Sequence, residues 1–153
     1  GSDQNTDFYE PAGDEQIIAE CISYAKQNYT LDTTEIILQG FSLGGRSALA
    51  YGLNHPTTFK GLLLTTPAMQ GLLDVKDAPG TGLGYSYGNA SQVPIYLTVG
   101  STDALYTGAI DALSDSLMKN DAKLEFVSVN GLGHSVPGSA FISPSLEFFE
   151  DPA

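Results

Sequence analysis

Residues 35–50 read EIILQGFSLGGRSALA, and the reading of this stretch decides the fold. Ile36, Ile37 and Leu38 form a continuous apolar run, as in a parallel strand buried on both faces. Ser47 to Leu53 is apolar almost all round, as in a helix packed inside a protein. Between the two stands Gly40-x-Ser42-x-Gly44. A serine in that setting sits on a sharp, strained strand-to-helix turn that lifts its hydroxyl clear of the sheet, and the glycines keep side chains out of the tight crossing. An ordinary serine in a glycine-rich turn would satisfy the five-residue pattern by itself. The strand-like and helix-like flanks are what make Ser42 the candidate nucleophile.

Working outward, strands and helices alternate. Apolar spacing predicts a helix over 14–28, a strand over 35–39 and a helix over 43–54 that His55-Pro56 closes, because proline cannot continue it. Further strands are expected over 61–65, 94–99 (PIYLTV) and 123–129 (KLEFVSV). Ile110, Leu113 and Leu117 mark a helix between the last two. A terminal helix starting near Ser143-Pro144 is expected to bury Leu146, Phe148 and Phe149. This alternation implies βαβ units, hence an α/β fold with a parallel sheet of about four strands flanked by helices. Residues 1–153 read as a single domain, with Gly1-Ser2 resembling an expression-vector scar.

Composition narrows the chemistry. With 42% hydrophobic residues, seven Phe and eight Tyr, the chain has enough apolar material for a core, and no apolar run approaches the 18 residues of a membrane span. Eighteen acids against six Lys and Arg give a formal charge of −12, which argues against nucleic acid and against anionic lipid surfaces as partners. The acidity and the Asn, Thr, Ser and Gly-rich polar residues lean toward a secreted or periplasmic protein. Cys21 is the single cysteine, so no intrachain disulfide is possible. With Ile17, Ile18, Ile22 and Ala25 it fits one apolar helical face and is expected in the core.

A serine hydroxyl needs a base to take its proton, and the base needs a third group to hold its tautomer. There are two histidines. His55 follows a helix end, where a solvated cap explains it. His134 lies in GLGHSVPG just after the fourth strand, where flanking glycines permit a tight loop that presents the ring over the sheet edge. Asp103, in VGSTDALY, directly follows the third strand and could alternatively cap the next helix. Its rivals Asp74 and Asp77 lie in a long glycine-rich loop, 70–92, that leaves the C-terminal end of the second strand. Open α/β sheets place their ligands on that side, so the loop is assigned to substrate contact, with Tyr85 and Tyr87 as the contacting side chains. No metal site and no cofactor is implied, since neither histidine has a Cys or carboxylate cluster at ligand spacing.

Four segments carry a resemblance: LDTTEIILQGFSLGG, HPTTFKGLLLTTPA, VGSTDALY and GLGHSVPG. Together they resemble the α/β-hydrolase superfamily, and within it the esterase group of polyhydroxybutyrate depolymerases and feruloyl esterases. That group's histidine loop commonly reads like GGGHTWPG; here Val136 stands where the tryptophan would be. The resemblance implies a Ser42, Asp103, His134 triad, in the superfamily's chain order. It implies ester hydrolysis through an acyl-serine, with the Leu43 N–H as an oxyanion donor.

The resemblance begins at the helix that precedes the serine's strand, so this chain corresponds to the C-terminal half of the superfamily sheet, with the N-terminal strands and the second oxyanion donor missing. The expected partners are therefore a small-molecule or polymer ester and the N-terminal half of the fold, as another chain, a cleaved fragment or a swapped copy. A non-catalytic module on a degenerate hydrolase fold and an acyltransferase are the alternative readings.

Overall fold

The apolar runs that alternate with helical patterns do pair side by side. The computed structural model of the protein describes residues 11–69, 87–104 and 107–152. Its elements are α1 (Pro11–Asn28), β1 (Ile37–Phe41), α2 (Leu43–Asn54), β2 (Gly61–Thr65), β3 (Ile95–Gly100), α3 (Thr107–Met118), β4 (Leu124–Val129) and α4 (Ile142–Glu150). Two short 3-10 turns, Tyr87–Gln92 and Ser139–Phe141, precede β3 and α4. The four strands form one sheet in the order β1-β2-β3-β4, every pair parallel.

Parallel pairing places the C-terminal ends of all four strands on one rim. Register is set by Ile37 opposite Gly61, Leu62 opposite Ile95, and Ile95 opposite Leu124. Successive side chains alternate between faces. One face carries Leu62, Leu64, Ile95, Leu97 and Val99, which pack with Leu49 and Leu53 of α2 and with Ile110, Leu113 and Leu117 of α3 in a single buried cluster. Contact there is close: a Cβ on Gly52 of α2 would meet both terminal methyls of Leu62 at 2.5 Å. Truncating a fully buried leucine in this layer, such as Leu49 or Leu97, should cost about 2–5 kcal/mol. The opposite face is covered by α4, where Phe149 occupies the space beside Gly61 and the Phe148 ring lies 5.9 Å from that of Tyr96.

At the N-terminal rim, the Lys60 ammonium bonds the carboxylates of Glu35 and Glu150, joining the approach to β1 to the end of α4. Those bonds, Glu150 first and then Glu35, hold the ammonium charged above the ordinary lysine range. The cluster is solvated at its acidic ends, so its value is orientation more than energy.

Several expectations change. The first strand runs to Phe41 rather than Gln39, because Gly40 and Phe41 keep their partners Leu64 and Thr65 in the ladder. Cys21 is exposed rather than in the core, and so is Ile17 at 41% exposure, whereas Ile18 and Ile22 pack against the core. Helix α1 flanks a sheet that stops at β1 among the described residues, so only part of its apolar stripe finds a partner. Leu146 is 45% exposed instead of buried, because the Phe148 and Phe149 rings take α4's contacts with the sheet.

Candidate active site

The rim formed by the C-terminal ends of the strands carries the side chains singled out by the sequence. Ser42 follows β1 immediately and caps α2, with φ 54° and ψ −121°. A non-glycine residue at such angles is strained by roughly 1–3 kcal/mol, so neighbours must over-determine it. Here the Ser42 N–H donates to the Thr65 carbonyl at 3.1 Å, while the Ser42 carbonyl accepts from the N–H groups of Arg46 and Ala68 at 3.1 and 2.9 Å. The chain leaving β2 thus buttresses the turn from below. Thr66, itself at φ 41°, anchors that support by donating its N–H to the Thr98 carbonyl at 2.8 Å.

Two glycines make the crossing possible. A Cβ on Gly40 would collide with the backbone of Gly44, and one on Gly45 would press on Pro67 at 3.0 Å. Gly44, although part of the motif, has open space around it. The steric demand that the sequence reading shared between Gly40 and Gly44 therefore falls on Gly40 and Gly45. Leu43 is the first residue of α2, so its N–H belongs to the helix's first-turn donors, which have no intrahelical carbonyl to bond.

Asp103 lies just beyond β3 and is almost wholly buried, its N–H donating to the Gly100 carbonyl at 3.0 Å. His134 sits in the loop after β4. Its Nδ1 is 2.9 Å from Asp103 Oδ2 and its Nε2 is 3.1 Å from Ser42 Oγ. Both contacts are satisfied when Nδ1 carries the hydrogen, donating to the carboxylate, and Nε2 accepts from the serine hydroxyl. The Asp103 carboxylate is turned to the imidazole through Oδ2.

The loops that bring these groups together are stitched to each other. The Ser101 N–H donates to the Val129 carbonyl at 2.9 Å, and the Gly131 N–H donates back to Ser101 Oγ at 2.9 Å. Thr102 donates to the Leu132 carbonyl twice, from its N–H at 3.0 Å and from its hydroxyl at 2.8 Å. The two loops approach so closely that a Cβ on Gly100 would run into the carbonyl oxygens of Leu132 and Gly133. Phe41 completes the setting, its ring centroid 4.9 Å from that of His134 and tilted by 36°. Sequence reasoning missed Phe41, Ser101, Thr102 and Gly45, because their roles depend on contacts across the rim rather than on local pattern.

His55 is placed as expected, as the C-cap of α2, with its N–H donating to the Tyr51 carbonyl at 2.9 Å. Asp74, Asp77 and Tyr85 lie outside the described residues. Tyr87 corrects an expectation: it is buried in the core cluster with Ala90 and Val93, not presented to a substrate. The end of the supposed loop folds as a 3-10 turn whose Asn89 amide donates to the Leu53 carbonyl of α2 at 2.8 Å, which docks the tyrosine inward. A cleft of about 50 Å³ is lined by Gln39, Thr65, Thr98, Val136 and Phe141 among others.

The Esterase family model matches residues 2–138. The chain belongs to the Esterase family. Among solved structures, this esterase-family chain is similar to an uncharacterized protein from Bacillus cereus, with a TM-score of 0.74 and 19% identity over 90% of this chain and 43% of that one. It is similar to SOBER1 of Arabidopsis thaliana, with a TM-score of 0.68 and 19% identity over 94% of this chain and 67% of that one. A CE1 ferulic acid esterase from Anaeromyces mucronatus matches with a TM-score of 0.65 and 17% identity, over 91% of this chain and 53% of that one. At these identities the likeness is one of fold, that of the α/β hydrolases. The chain spans less than half of the Bacillus protein and about half of the fungal esterase. No curated protein matches it.

Proposed function

We propose that the chain carries the catalytic triad of a serine carboxylesterase. The observation that supports this most directly is the unbroken line from Asp103 through His134 to Ser42, at 2.9 and 3.1 Å, on the strained turn after β1. Ser42 Oγ attacks the ester carbonyl while His134 Nε2 takes the hydroxyl proton, and the buried Asp103 carboxylate holds the imidazole in the required tautomer and stabilises its cation. The protonated His134 then gives that proton to the departing alkoxide, leaving an acyl-Ser42. A water, deprotonated by the same imidazole, attacks the acyl carbon, and the serine leaves with the proton.

The tetrahedral oxyanion needs donors, and the Leu43 N–H at the start of α2 is the one that the elbow supplies. A second donor belongs to an N-terminal half of the fold, which we place along the free side of β1. Two features support that placement: β1 ends the sheet among the described residues, and its Ile36, Ile37 and Leu38 are only partly covered. Parallel strands of such apolar composition are ordinarily covered on both sides. Where the elbow donor acts without a second one, turnover should be lower by roughly a hundred- to a thousand-fold.

The test is covalent labelling. A fluorophosphonate probe should modify Ser42 and no other residue, and Ser42→Ala should abolish both labelling and hydrolysis of a p-nitrophenyl ester. Labelling that survives Ser42→Ala, or a chain that never labels even with an N-terminal half supplied, would refute the reading and favour a binding module. Added alcohol acceptors distinguish hydrolysis from acyl transfer by the product formed. The acidic, low-lysine composition supports a secreted or periplasmic location.

A further inference from the structure

Beyond Ser42 and Asp103, His134 has a third neighbour that the triad does not explain. Phe41 is the last residue of β1 and directly precedes Ser42, yet its ring lies against the imidazole at 4.9 Å, tilted by 36°. Both imidazole nitrogens are already engaged, Nδ1 with the Asp103 carboxylate and Nε2 with the Ser42 hydroxyl. The aromatic contact is therefore additional to the hydrogen bonds of the two nitrogens.

We propose that Phe41 is a positioning residue that holds the His134 ring and stabilises its imidazolium through contact with the aromatic π cloud. The inference rests on the triad reading above. When Ser42 Oγ bonds to the acyl carbon, its proton passes to Nε2 and the imidazole ring becomes a cation shared between two nitrogens. A benzene ring within about 6 Å attracts such a cation through its negative face. Asp103 acts in the plane of the imidazole, whereas Phe41 acts on the ring itself, so the two stabilise the same charge from different directions.

Among the described residues, Asp103 faces His134 from the turn after β3 and Ser42 faces it from the turn after β1, while the His134 loop, residues 130–138, carries no charged side chain besides the imidazole.

The experiment is the rate at which a fluorophosphonate labels Ser42, at plateau pH, in the wild-type chain, in Phe41→Leu and in a chain with pentafluorophenylalanine at position 41. The leucine removes the π cloud; the fluorinated ring keeps the shape and reverses the quadrupole. The rate should drop about threefold in Phe41→Leu, at least as far in the fluorinated chain, and recover in Phe41→Tyr, which keeps the ring. An unchanged rate in the fluorinated chain would overturn the proposal, even if the leucine variant were poorly folded. Failure of the triad reading would instead appear as no labelling of Ser42 in the wild-type chain, so the two failures are distinguishable.

Discussion

The rim at the C-terminal ends of the strands and the flank formed by α1 and β1 are built to different degrees. On the rim, the described turns are tied to one another: the Ser42 turn to the end of β2, and the turn after β3 to the His134 loop through Ser101 and Thr102. On the flank, β1 has one partner among the described residues, and α1 leaves Tyr24 at 62% exposure and Cys21 in solvent. The difference teaches that the strands from β1 onward bring the proposed nucleophile, base and acid together. On the proposed mechanism, a second oxyanion donor and a cover for the first edge of the described sheet would come from elsewhere in the fold.

The comparison can be broken most decisively on the rim. Ser42→Ala should lower ester hydrolysis by roughly a million-fold, as loss of the nucleophile does in the triad template, with the melting temperature little changed. Asp103→Asn should lower turnover by about ten-thousand-fold through the wrong imidazole tautomer, with circular dichroism unaltered. A smaller effect tests the flank: adding the N-terminal half in trans should raise kcat by roughly a hundred- to a thousand-fold, because it brings the second oxyanion donor. If it raises stability alone, the rim is already complete.

Stability separates the two regions further. Gly100→Ala should destabilise by about 1–3 kcal/mol, since the added methyl must displace the Leu132 and Gly133 carbonyls, and denaturant unfolding would measure it. Ile17→Lys on α1 should change stability by no more than about 0.5 kcal/mol in denaturant unfolding, because the side chain is exposed. A large loss from the second substitution would mean that the flank is packed after all.

Much of the rim was legible in the sequence because its signals are local. A proline closes α2, and the limits of α2 and β2 follow from apolar pattern and turn residues. Ser42, Asp103 and His134 stand at strand ends in chain order, and a parallel sheet brings all such ends to one side. The flank was less legible. Periodicity marks Ile17 and Cys21 as part of an apolar stripe, but a stripe does not say whether anything covers it. Tyr87 misled for a related reason: its composition suits a binding loop equally well as a core, and only the docking of Asn89 onto α2 decides between them. Phe41 carried no signal, since an aromatic ending a strand is ordinary until the histidine loop, far along the chain, folds against it.

The strand order also has a kinetic meaning. Each strand pairs with the next one along the chain, so β1, β2, β3 and β4 can be added in the order in which a ribosome delivers them. Ser42 is in place early in that sequence, when neither Asp103 nor His134 has been synthesised. Its hydroxyl then has no base within reach and is no more reactive than any other serine. The imidazole arrives only with the loop that follows β4, so on the proposed mechanism the last strand of the described sheet also brings the serine its base.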